Sequence, residues 1–154
     1  MDEKRFFTMA ETYDNMAQLL VPQYDFLQDE AIKILPFKTS EPITIVDLGA
    51  GSGILLEKLL IKYPNAHCFY IDFSDDFIKM AQKRLSKYLQ RVDFLKMSIE
   101  TEWESELNVN PDVIVSMSAI HHLETPDKKK LYQRCFNILS KSGWFINIDE
   151  MSTQ

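Results

Sequence analysis

The chain has 154 residues, 45% of them hydrophobic and 26% charged, which suits one soluble globular domain with a substantial core. A net charge of −6 argues against a partner held mainly through phosphates, so nucleic acid is not the expected ligand. The charged N-terminus lacks the apolar stretch of a secretory signal, and no apolar run approaches membrane-spanning length. With Cys68 and Cys135 read as reduced core thiols, the cytoplasm is the default compartment.

Residues 5–40 read as two helices ahead of the first strand. Phe6, Phe7, Ala10, Tyr13, Ala17 and Leu20 recur at helical spacing, Pro22 interrupts, and a second pattern runs from Tyr24 to Leu35. Taken singly, Tyr13 and Tyr24 read as amphipathic core aromatics with wet hydroxyls. After Glu41-Pro42, the run Ile43-Thr44-Ile45-Val46 reads as a strand buried on both faces. Asp47 and Leu48 follow, then Gly49-Ala50-Gly51-Ser52-Gly53, then the helical pattern from Ile54 to Leu60. A strand that turns this sharply into a helix needs residues tolerant of positive φ and close backbone approach. The unpaired N–H groups at the helix start then face whatever sits over the turn, so this is a cofactor site at the carboxyl end of a parallel strand.

Ala66 to Ile71 reads as the second strand, ending in Asp72. Ser74 is placed to cap the next helix, with Asp75 and Asp76 in its first turn and Phe77, Ile78, Ala81, Leu85, Tyr88 and Leu89 as its buried stripe. An acid at the end of the second strand, about 20 residues past a glycine turn, is where such folds grip ribose hydroxyls. His67 reads as a surface histidine at the strand start. Arg91 to Met97 is a third strand, followed by Ser98 and Ile99; Trp103 anchors a satellite core within an acidic, irregular stretch from Glu100 to Asn110.

Pro111 to Ser116 is a fourth strand running into Met117-Ser118-Ala119-Ile120-His121-His122-Leu123. Adjacent histidines cannot share a helix face as a metal pair would, and no third ligand cluster accompanies them, so no metal site is expected. One of the two, His121 by preference, is a candidate base for a substrate hydroxyl. The alternative is one structural histidine beneath a cofactor and one facing solvent. Thr125 then Pro126 reads as cap and first residue of a helix whose buried face is Leu131, Cys135, Ile138 and Leu139. Lys128-Lys129-Lys130 is its solvated face. Gly143 suits a left-handed residue after that helix, and Trp144 to Ile148 is the fifth strand.

Gly49-x-Gly51-x-Gly53 preceded by Asp47 resembles the first motif of the class I, Rossmann-like S-adenosylmethionine-dependent methyltransferases of small-molecule type. The dinucleotide fingerprint of dehydrogenases spaces its third glycine differently, which disfavours a nicotinamide cofactor. The passage around His121-His122 resembles the family's fourth motif, the stretch from Leu139 to Asp149 its helix–glycine–fifth-strand passage, and Tyr13-Asp14 with Val21 to Asp25 its leader. The resemblance covers residues 43–149 in order. It implies a doubly wound, mainly parallel sheet in the order 3-2-1-4-5 with helices on both faces, within a single domain of residues 1–154. Residues 1–40 would form a helical lid and residues 41–154 the cofactor core.

Carried over residue by residue, the resemblance places Asp47, Gly49, Ala50, Gly51 and Gly53 at the methionine end of S-adenosylmethionine. It puts Asp72 at the ribose, Phe73, Ser98 and Ile99 at the adenine, and Ser116 to His121 beside the reacting methyl. Ser98 departs from the acid that the family often carries there. The implied reaction is methyl transfer to a small-molecule acceptor, leaving S-adenosylhomocysteine; the alternatives are a cofactor-binding module without catalysis, or a fragment of a longer methyltransferase. Family members generally continue beyond the fifth strand with further helices and two strands that are absent here. That leaves the fifth strand as an exposed apolar edge, an expected site of pairing with a second copy.

Overall fold

The computed structural model describes residues 10–150. Phe6 and Phe7, expected in the first helix, lie outside that range. Helices α1 (Ala10–Leu20) and α2 (Tyr24–Lys33) precede β1 (Thr44–Leu48), α3 (Ile54–Lys62), β2 (His67–Asp72) and α4 (Asp75–Arg84). A 3-10 segment, Ser86–Arg91, leads into β3 (Val92–Lys96). After a 3-10 turn at Trp103–Glu106 come β4 (Val113–Met117), a second such turn at Ile120–His122, α5 (Thr125–Ile138) and β5 (Trp144–Ile148).

The strands form one five-stranded sheet in the order β3-β2-β1-β4-β5, with all four pairings parallel. Order and direction follow from chain handedness: a right-handed crossover places α3 and α4 on one face as the chain steps from β1 through β2 to β3. Stepping the opposite way from β4 to β5 puts α5 on the other face. Side chains alternate across each strand, so two cores result. Ile45, Cys68, Tyr70, Val113 and Val115 pack with α1 to α4. Val46, Leu48, Phe69, Ile71 and Ile114 pack with Trp103, Ile120 and Leu131 and Cys135 of α5. The central strands are covered on both faces, which is why they are continuous apolar runs.

Four local expectations are corrected. The stripe assigned to one helix through Leu89 breaks at Arg84, and Leu89 stands exposed on the 3-10 segment. Thr125 is already inside α5; Glu124 is the capping residue, without a side-chain hydrogen bond, and Pro126 sits in the first turn. Gly143 is not left-handed. Its smallness serves close approach instead, because a Cβ there would lie 2.8 Å from Leu139 Cδ2 and 3.0 Å from the Ser140 carbonyl oxygen. Met117, read as part of the loop, belongs to β4.

Candidate functional site

Gly49, Gly51 and Gly53 all have positive φ, at 68°, 52° and 76°. The turn after β1 is pinned first by its own backbone, with the Gly49 and Ala50 N–H groups both donating to the Ile71 carbonyl of β2, at 2.9 and 3.0 Å. A Cβ on Gly49 would come within 2.4 Å of Ala119 Cβ, so the glycine turn and the loop after β4 meet only because this residue has no side chain. At Gly51 the space is open, with nothing nearer than the Gly49 oxygen at 4.0 Å. Gly53 faces inward, where a Cβ would press on Ala81 and Leu85 of α4. It packs the fold rather than lining the cleft.

Side chains then brace the turn from below. The Tyr70 hydroxyl donates to the Gly51 carbonyl at 2.6 Å, and Arg84 Nε donates to the Ser52 carbonyl at 2.9 Å. Asp14 of α1 accepts from the Ser52 hydroxyl and from Arg84, which also reaches Glu57 at 3.4 Å. One acid of the leading helix thus fastens that helix to the glycine turn.

Asp72 closes the rim. Its Oδ2 accepts the Gly51 N–H and its Oδ1 the Ser74 N–H, each at 2.9 Å. Burial raises its pKa, partly offset by those backbone donors. The Phe73 backbone N–H is a third such donor, so of a carboxylate's roughly four lone-pair sites about one is left for a ligand hydroxyl. Ser74 caps α4 as expected, accepting from the Phe77 N–H. Beside Asp72 lies a cleft of about 220 Å³ lined by Gly49, Gly51, Phe73, Ser98, Ile99 and others. Phe73 offers an exposed ring and Ile99 a buried apolar wall. Arg134 of α5 holds that wall by donating to the carbonyls of Ile99, Glu100 and Thr101.

A second, smaller cavity of about 20 Å³ lies on the α1–α2 side of the turn, lined by Asp47, Ala50, Tyr13, Tyr24, Gln28 and Met117 among others. Asp47 is 2% exposed, and its Oδ2 has no hydrogen-bond partner. Burial, with Asp72 nearby, pushes its carboxyl up to about 8. Gln28 is fully buried; its amide N–H reaches Met117 Sδ at 3.4 Å while its Oε1 is unpartnered. Tyr13 stacks edge-on against Phe77, and burial pushes its hydroxyl up to about 12.

The structure therefore brings Asp47, Gly49, Ala50, Gly51, Asp72, Phe73, Ser98 and Ile99 to the two cavities. It does not bring Ser116, which is fully buried in the sheet with its hydroxyl donating to the Leu48 carbonyl at 2.8 Å. His122, rather than His121, lines the larger cleft. His121 sits beside it and is paired with a residue that sequence reasoning did not single out. Asp149, at the end of β5, accepts from the His121 backbone N–H at 2.8 Å and contacts the ring Nδ1 at 2.5 Å. A carboxylate only accepts, so Nδ1 carries the proton and Nε2 is left as the acceptor. Glu100 also lines the cleft unannounced, while Ser118 and Ala119 line it from within the expected stretch Ser116 to His121, Ser118 with a strained backbone at φ 53°. Among the described residues no cluster of ligands could hold a metal. Cys68 and Cys135 are free and buried, and burial raises both thiols, so neither is a nucleophile.

A parallel sheet in the order β3-β2-β1-β4-β5, with a glycine turn and a buried acid at its carboxyl edge, has the architecture of the Rossmann-like class. Residues 45–143 match the family described as methyltransferase domain, and the chain belongs to that family. Carboxy-S-adenosyl-L-methionine synthase 1 of Yersinia pseudotuberculosis is 23% identical over 136 residues, covering 87% of this chain and 56% of the relative. Ubiquinone biosynthesis O-methyltransferase of Nitrosomonas europaea is 31% identical over 101 residues, covering 66% of this chain and 41% of the relative. An O-methyltransferase family protein from Burkholderia thailandensis superposes with a TM-score of 0.74 at 18% identity, covering 95% of this chain and 44% of that one. The chain spans about half the length of these relatives.

The family's cofactor is S-adenosylmethionine, and the residues present fit it. Asp72 keeps about one acceptor site beyond its backbone donors, Gly51 leaves open room, and two buried acceptors, Asp47 Oδ2 and Gln28 Oε1, lack the donors that an ammonium group would bring.

Proposed function

We propose that this chain transfers the methyl group of S-adenosylmethionine to a small-molecule acceptor. The observation that carries the reading is Asp72 at the rim, tied to the Gly51 and Ser74 N–H groups over a cleft walled by Phe73 and Ile99. The cofactor supplies an already activated methyl group, so the chain's task is to bind, align and keep dry. Asp72 holds the ribose, Phe73, Ser98 and Ile99 border the adenine, and Asp47, Gly49, Ala50 and Gly51 seat the methionine end. The Asp14 tie keeps α1 over the turn, which supports α1 and α2 acting as a lid on a single domain. His121, its Nδ1–H held by Asp149, accepts a proton from the acceptor through Nε2.

The relatives include a ubiquinone biosynthesis O-methyltransferase and a plantazolicin methyltransferase, which supports a small-molecule acceptor. No helix among the described residues is long and apolar enough to cross a membrane, and the buried free thiols agree with a cytoplasmic setting. β5 carries no charged residue, and Trp144 and the Tyr132 ring beside Phe145 are exposed, which supports pairing of β5 with a second copy.

The test is tritiated methyl transfer from S-adenosylmethionine into a cell extract, comparing the chain with Asp72→Ala. Label in the low-molecular-weight fraction, lost in the variant, is expected. Label confined to protein or nucleic acid contradicts a small acceptor, and cofactor binding without any transfer selects a binding module without catalysis.

A further inference from the structure

Asp47 and Gln28 are the two side chains whose buried acceptors face the small cavity unpartnered, and they reach it from opposite sides. Asp47 projects from β1; Gln28 projects from α2. No lysine, arginine or histidine lines the space. The titratable groups around Asp47 are Asp72, Tyr70 and Cys68 on β2, Tyr24 on α2, and Tyr13 and Asp14 on α1. The residues that α3 and β4 turn towards it, Ile54, Leu55 and Met117, are uncharged. Arg84 reaches the turn only at the Ser52 carbonyl, where Asp14 and Glu57 already hold it.

A carboxylate in this setting would be buried without a counter-ion and beside a second acid. With no counter-ion among its neighbours, Asp47 is held as the neutral acid, in line with a carboxyl pushed up to about 8. A ligand that brings its own positive charge and N–H donors reverses that balance. It satisfies Asp47 Oδ2 and Gln28 Oε1 and gives the carboxylate a partner.

Resting on the reading that the cofactor's methionine end lies here, we propose that seating its ammonium group expels one proton from Asp47 to solvent, so that cofactor affinity is set by pH. The O–H bond of the Asp47 carboxyl breaks, the proton goes to buffer, and the ammonium keeps its three hydrogens and donates to both side chains. The chain thereby prefers ligands carrying a free amino-acid end over bare methylthio-nucleosides, most strongly at the alkaline end of the range.

The experiment is calorimetry of S-adenosylhomocysteine binding at pH 6.5 in phosphate and in imidazole, buffers with very different ionisation enthalpies. 5′-Methylthioadenosine, which lacks the amino-acid end, serves as the second probe on the same protein. One proton released per S-adenosylhomocysteine and none with methylthioadenosine is the expected result. The dissociation constant for the former should tighten about tenfold per pH unit between pH 5.5 and 7.5. Asp47→Asn should bind with no proton exchange and a flat pH profile. Equal heats for S-adenosylhomocysteine in both buffers overturn the proposal while leaving the cofactor assignment standing. Proton release with methylthioadenosine also overturns it, since Asp72 would then be the source. No binding of either probe to folded chain removes the cofactor assignment and this proposal together.

Discussion

Asp47→Asn has a second consequence that needs no ligand. The substitution keeps the size of the side chain, removes its ability to ionise, and offers an amide N–H within the cavity that Gln28 Oε1 faces. In the native chain the Asp47 carboxyl moves from 3.8 to about 8 on folding. The folded state thus holds a proton that the unfolded state releases, and stability falls as pH rises through that window, the loss being complete above about pH 8. Each pH unit corresponds to about 1.4 kcal/mol, so roughly 6 kcal/mol is the upper bound on what this one group withdraws across the window.

The variant escapes that loss. Unfolding by urea, followed by fluorescence of the fully buried Trp103, gives both profiles. The variant's advantage should grow by about 1.4 kcal/mol per unit from pH 5 to 7.5, reaching a few kcal/mol. For a domain of this size, that corresponds to a melting temperature higher by about 10 °C at the alkaline end. Parallel profiles for the two proteins would refute the neutral buried acid. A variant less stable at every pH, with an unchanged difference, would show instead that Asp47 has a charge partner in the free chain.

Four other substitutions separate roles within the site. Gly49→Ala should lower the melting temperature and abolish cofactor binding, because the new methyl meets Ala119 at 2.4 Å and φ is 68°. Gly51→Ala, with room for its methyl, should cost only the roughly 1–2 kcal/mol of a left-handed alanine yet still weaken binding by intruding on the seat; equal destabilisation by both would contradict this division. Asp149→Asn should lower kcat while leaving the Michaelis constant for S-adenosylmethionine unchanged, because the asparagine no longer fixes the His121 tautomer; a change confined to the Michaelis constant would place Asp149 in binding instead. Asp14→Ala should speed cofactor dissociation without altering the melting temperature by more than a few degrees, since it frees α1 from Ser52 and Arg84; an unchanged off-rate measured by stopped flow would deny the lid its role.

Sequence and structure agree best where a local rule suffices. The run from Ile43 to Gly53, the cap at Ser74 and the acid at Asp72 each follow from chemistry within a few residues, and the strand order follows from crossover handedness. The misreadings share one cause, which is that several local solutions satisfied the same pattern. Leu89 continued a helical stripe that the chain leaves at Arg84, and Gly143 was read for its backbone when its neighbours needed its small size. Ser116 lies on the expected strand, fully buried, with its hydroxyl on the Leu48 carbonyl.

What stayed hidden is long-range. Asp149 and His121 are 28 residues apart and meet only because β5 lies beside β4. Gln28 gains meaning only when α2 lies over Asp47, and Asp14 only when α1 reaches Arg84. None of these pairs has a spacing that periodicity could detect.

The most direct test of the central claim is calorimetric titration of the chain with S-adenosylmethionine and S-adenosylhomocysteine, with NADH as control and Asp72→Ala alongside. Micromolar binding of both, absent for NADH and lost in the variant, is the result expected from a ribose held at Asp72. Binding of NADH, or undiminished binding by the variant, would contradict the site as described.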